Sequence, residues 1–87
     1  MNRNIQARSS EWSEGLKATT FKMINSRGIE FISFDNKLHI KHISSGYAFI
    51  KMEDLYNGLL RVVDKTTGAE VVYPNADDLI KDGWAVD

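Results

Sequence analysis

The chain has no cysteine. That removes disulfides, thiolate nucleophiles and every cysteine-based zinc site. It has only two histidines, His39 and His42, one proline, Pro74, and no run of eighteen apolar residues. A membrane-spanning helix needs about twenty, so none is expected. Basic excess is missing too: eleven Lys and Arg stand against twelve Asp and Glu, a formal charge of −1. Dedicated binders of the duplex phosphate backbone carry a clear positive excess, so duplex nucleic acid is not an expected partner. The first ten residues lack the apolar stretch of a secretory leader, which makes the cytoplasm the expected compartment. At 87 residues the chain is too short for a (β/α) barrel of about 250. So small a domain buries only about 60% of its unfolded surface, which favours pairing into a homodimer.

What is present is a series of short elements. Residues 1–9 read as a polar tail and residues 10–87 as one domain. Ser9 and Ser10 are positioned to cap one or two helical turns over Glu11–Leu16, with Trp12 and Leu16 on one face. Thr20–Ile24 alternates as a first strand, and Asn25–Gly28 is a turn with Gly28 free to take positive φ. Ile29–Phe34 is a second strand, apolar on both sides. Leu38–Ile43 is a third with clean alternation, and Tyr47–Met52 a fourth. Glu53–Gly58 is a helical turn or an irregular link. Leu59–Val63 and Ala69–Tyr73 flank Asp64–Gly68, a hairpin with a left-handed Gly68. Pro74 ends that pair. Asn75 caps a short helix with Asp77 and Asp78 in its first turn, Gly83 stops it, and Trp84 and Val86 pack back on the sheet. The predicted fold is α+β: a small, strongly bent antiparallel sheet or open barrel of about six short strands, with a short N-terminal and a short C-terminal helix.

Catalytic chemistry does not assemble from these residues. No Gly-rich phosphate loop and no Gly-x-Ser-x-Gly elbow occur. On a strand, His39 and His42 point to opposite faces, which separates them as metal ligands. Glu53/Asp54 and Asp77/Asp78 are sequence neighbours whose carboxylates diverge. Neither a catalytic residue, a metal nor a cofactor is expected. Binding chemistry remains. Trp12, Tyr73 and Trp84 are amphipathic rings that either seal the helices to the sheet or contact a ligand. Charge is uneven along the chain: residues 1–42 hold seven basic and four acidic side chains, residues 43–87 four basic and eight acidic.

The segment Lys65–Val86 resembles the C-terminal part of a phage anti-Thoeris family of small domains that sequester a cyclic nucleotide-like immune signal. The shared pattern is a Lys-Thr hairpin with Gly, a strand ending near an aromatic, then Asp-Leu-Leu-x-x-x-Trp-x-Val. Asp78, Leu79, Ile80, Trp84 and Val86 match it in order and spacing. The Glu11–Leu16 helix is similar in placement. The family's Arg-Gly-Trp-like turn falls on Arg27-Gly28-Ile29, without the Trp. The resemblance covers about a quarter of the chain. It implies a non-enzymatic, phage-type anti-defence protein that clasps a small nucleotide between subunits, with Trp12, Arg27, Tyr73, Asn75 and Trp84 as ligand contacts. The charge split supports an alternative, a protein–protein inhibitor or adaptor that docks on a host enzyme through Asp77, Asp78 and Asp82 or through a strand edge. A further reading is single-stranded nucleic acid on an aromatic sheet face, which the acidic balance disfavours.

Overall fold

The computed structural model describes residues 11–27 and 34–87. In chain order the elements are α1 (Glu14–Asn25), β1 (Lys37–His42), β2 (Tyr47–Lys51), α2 (Met52–Tyr56), β3 (Leu60–Asp64), β4 (Glu70–Tyr73), α3 (Ala76–Lys81) and β5 (Trp84–Val86). The strands form one antiparallel sheet in the order β4-β3-β2-β1-β5. The protein is therefore an α+β fold.

The largest departure from expectation is at residues 20–24, which belong to α1 and not to a strand. Leu16, Thr20 and Ile24 recur every fourth residue and make the inward stripe of a helix. The stripe is hard to see because its central member is polar. Thr20 is fully buried, and its hydroxyl is satisfied twice: it donates to the Leu16 carbonyl at 2.8 Å and accepts from the Val86 N–H at 3.0 Å. The N-cap is Ser13, whose hydroxyl accepts from the Leu16 N–H at 3.2 Å. Ser9, Ser10, the tail 1–9, Gly28 and the expected strand Ile29–Phe34, apart from an exposed Phe34, lie outside the described residues. In the turn after α1, Arg27 itself takes a left-handed φ of 55°.

The other elements follow their local signals. Lys37–His42 and Tyr47–Lys51 pair with Leu38 opposite Ile50 and Ile40 opposite Ala48, all four buried. Glu53–Gly58 resolves as the helical turn α2, which buries Met52 and Leu55. The β3–β4 hairpin closes on Gly68 at φ +78°, and the Asp64 carboxylate accepts from the N–H groups of Thr66 and Thr67 at 2.7 and 2.9 Å. Those bonds hold the Asp64 carboxyl below its ordinary range, Thr67 first and Thr66 second. Asn75 caps α3 through a 2.8 Å bond from the Asp78 N–H. Trp84–Val86 forms a fifth strand, antiparallel to β1, where only packing was expected.

The core lies on one face of the sheet. Leu38, Ile40, Ala48, Ile50, Leu60, Val62 and Val86 meet Ile24, Leu55, Ala76 and Leu79 there. α3 leaves edge strand β4 and delivers the chain to the opposite edge, β5, while α1 packs on α3 and β5. The sheet is bent enough for its two edges to touch through side chains: the Trp84 indole N–H donates to the Tyr73 hydroxyl at 3.2 Å. α1 also covers the outer edge of β5. Thr20 takes the Val86 N–H, an edge donor that would otherwise invite another strand. Just before α1, the Trp12 indole N–H donates at 2.9 Å to the Gly83 carbonyl, which also accepts from the Ile43 N–H. No described strand pairs with the outer side of β4.

Candidate functional site

The rings and charges singled out in the sequence fall into three neighbouring places. The first is a groove between α1 and α3 with a volume of about 550 Å³. Trp12, Ala18, Phe21 and Ile80 give it an apolar lining; Glu11, Glu14 and Asp77 supply carboxylates. Phe21 is 43% exposed, a large ring that α1 turns away from the core. Lys17 also lines the groove, bridging Glu11 at 3.1 Å and Glu14 at 2.9 Å. The Glu14 and Glu11 bonds raise the Lys17 pKa above its ordinary value. Lys81 is the other cation of the lining. Sequence reasoning missed Phe21 because the strand reading placed it in an alternation. The helical stripe at Leu16, Thr20 and Ile24 was the signal that would have set Phe21 on the outward face.

The second place is a cluster where α3 meets both sheet edges. Tyr73 donates its hydroxyl proton to the Asp82 carboxylate and accepts from Trp84. Burial, and then the Asp82 bond, push the Tyr73 hydroxyl up to about 12, with Trp84 acting in the opposite direction. Trp84 stands edge-on to the His42 ring at 4.8 Å. His42 Nδ1 accepts from the Ser44 N–H at 3.1 Å, which leaves the proton on Nε2, 2.6 Å from the Asp82 carbonyl. That close approach needs a glycine. A Cβ on Gly83, at φ +109°, would stand 2.6 Å from His42 Nε2. Tyr73, Trp84, Asp82 and His42 thus satisfy one another and lock α3 across the sheet.

The third place is a cleft of about 210 Å³ at the other end of α3, lined by Ile24, Arg27, Leu60, Pro74, Asn75 and Ala76. The Arg27 guanidinium lies against Gly58, whose φ is +76°. Asn75 is engaged as the α3 cap.

The five residues proposed as ligand contacts are therefore not gathered in one cavity. Trp12 borders the groove, Tyr73 and Trp84 belong to the locking cluster, and Arg27 and Asn75 share the cleft. Asp77 faces the groove, whereas Asp78 and Asp82 line a shallow neighbouring surface with Val71, Tyr73, Pro74 and Lys81. The histidines lie apart: His39 Nε2 contacts Asp35 at 2.6 Å, and His42 sits in the cluster. Among the described residues no group of three side chains is arranged to hold a metal ion, and no helix is long and apolar enough to cross a membrane. Comparison with protein-family models, curated proteins and solved structures finds no match.

Proposed function

We propose that the protein is a non-enzymatic binding protein that docks on a partner protein through the groove between α1 and α3. The observation that carries this reading is the outward Phe21 ring beside Trp12 and Ile80, bordered by Glu11, Glu14 and Asp77. Apolar anchors inside a charged rim are the anatomy of a protein interface. Asp78 and Asp82 extend the acidic side of α3 beyond the groove. The complementary partner segment carries apolar side chains flanked by Lys or Arg. The test is native mass spectrometry of the tagged chain recovered from its own cells, beside a Phe21→Lys variant. A protein retained by the parent and lost from the variant supports docking; equal retention by both refutes it.

A second reading, sequestration of a small nucleotide by a phage-type anti-defence protein, is favoured by Arg27 in its cleft and by the resemblance of Lys65–Val86. The cleft is smaller than the roughly 300 Å³ at which small-molecule sites begin, so a second copy of the chain must complete it. Light scattering tests the homodimer this requires. A thermal shift on adding a cyclic ADP-ribose isomer supports the reading, and no shift removes it.

A further inference from the structure

The two edges of the sheet differ. At β5 the outward Val86 N–H is taken by Thr20, and α1 packs along the strand. At β4 no described strand takes the outward groups. The side chains of this edge are exposed on both faces. Val71 lies opposite the buried Val62 yet is 51% exposed, and Val72 lies opposite Arg61 and is 56% exposed. The core thus stops short of the outer side of β4. Register fixes which backbone groups point outward. The Asp64 N–H donates to the Ala69 carbonyl at 2.9 Å, and bonding alternates from there along the hairpin. Val71 and Tyr73 turn their N–H and C=O groups toward β3; Glu70 and Val72 turn theirs away from it. Pro74, which has no N–H, ends the outward row.

We propose that β4 pairs antiparallel with β4 of a second copy of this chain, about a two-fold axis at Val71. Sequence selects this register among those a two-fold allows. With the axis at Val71, Glu70 faces the partner's Val72 and Val72 faces the partner's Glu70, so every outward N–H and C=O of both residues is bonded. An axis at Glu70 sets that carboxylate against the partner's Glu70, and like charges directly opposite are destabilising. An axis at Val72 sets Glu70 against the partner's Pro74, which has no donor to give. Charge is complementary in the selected register. Along one face the row reads Val63, Glu70, the partner's Val72, the partner's Arg61. Each Glu70 carboxylate then has its own Arg61 3.8 Å away and the partner's Arg61 beyond the partner's Val72. On the other face Val71 meets the partner's Val71, and both leave water. The blocked β5 edge favours closure: a β4-to-β5 contact would propagate from copy to copy, whereas β4 on β4 stops at two. So short a ladder falls below the roughly 800 Å² per partner of a standard interface, and weak association on the order of 100 µM is expected. Glu70, Val71 and Val72 do not line the α1–α3 groove, so either site can fail without the other.

The test is sedimentation equilibrium of the full chain from ~10 µM to ~1 mM. The expected result is a monomer–dimer equilibrium with nothing larger. Val72→Pro removes an outward N–H and none of the β3–β4 bonds, so it abolishes the dimer. Val72→Thr keeps the N–H and a branched side chain, and it retains the dimer. Val71→Asp places like charges across the axis and weakens pairing roughly tenfold or more. Both positions are exposed, and circular dichroism of the dilute variants checks that each remains folded. Amide hydrogen exchange gives a second readout: the Glu70 and Val72 N–H groups slow as concentration rises, while the Val71 N–H is protected throughout. A chain that stays monomeric at ~1 mM overturns the proposal, and is the result expected of an edge kept for a foreign strand or for another part of the same chain. A dimer that both Val72→Pro and Val71→Asp leave intact, or association that continues beyond two, overturns it as well.

Discussion

Replacing Thr20 with Val tests the packing of α1 at one atom. The two side chains have nearly the same volume, so no cavity opens and the change reports the hydroxyl. Thr20 is fully buried, and its oxygen is the acceptor for the Val86 N–H at 3.0 Å. Removing it leaves a donor on a buried edge strand with no partner, at a cost of about 1–3 kcal/mol. Loss of the bond to the Leu16 carbonyl adds little, because such back-bonding slightly destabilises a helix on its own. For a domain of this size each kcal/mol lowers the thermal transition by about 4–8 °C. Thr20→Ser keeps the oxygen and loses one methyl, which costs about 1 kcal/mol. Urea unfolding followed by tryptophan fluorescence measures both. The expected order of stability is parent, then Ser, then Val. A Val variant as stable as the parent, or more stable than Ser, refutes the claim that the Thr20 hydroxyl ties α1 to β5.

Four further outcomes follow from the same contacts. Asn75→Ala removes the α3 cap and is expected to cost about 1 kcal/mol in urea unfolding, with Asn75→Asp restoring most of it. Gly83→Ala forces a left-handed φ on a residue with a Cβ and drives it against His42; a loss of about 1–3 kcal/mol is expected, eased by His42→Ala in a double-mutant cycle. The Tyr73 hydroxyl titrates near 12 in the folded chain against about 10 when unfolded. Its contribution to stability is complete below pH ~10 and is lost as pH rises from there to about 12, and Tyr73→Phe should flatten that limb of a stability–pH curve. Asp64 has the opposite sign: its lowered pKa contributes stability above about pH 4 that fades as pH falls further, a dependence that Asp64→Asn should remove from acid-unfolding curves.

Elements defined by punctuation were legible in the sequence. Asp64 through Gly68 marked the hairpin, Pro74 the end of β4, and Asn75 and Gly83 the ends of α3, because each performs a backbone task that few residues can do. Alternation located β1 and β2. The error at Thr20–Ile24 arose where two periods compete over a short window. Phe21 and Met23 suggest a spacing of two, and a buried threonine disguises a spacing of four. The strand β5 was missed because Trp84–Val86 is three residues long, and its pairing with β1 is a tertiary fact. Tyr73 and Trp84 were singled out as ligand contacts and Asp82 as a partner contact, and the sequence could not show that the three engage one another.

What fills the groove between α1 and α3 is the central question for this protein. Native mass spectra of the parent chain and of Phe21→Lys, taken side by side from the same cells, decide it. The expected result is a protein complex with the parent and the bare chain with the variant. A complex of identical mass in both spectra, or a parent that carries only a small molecule, contradicts it.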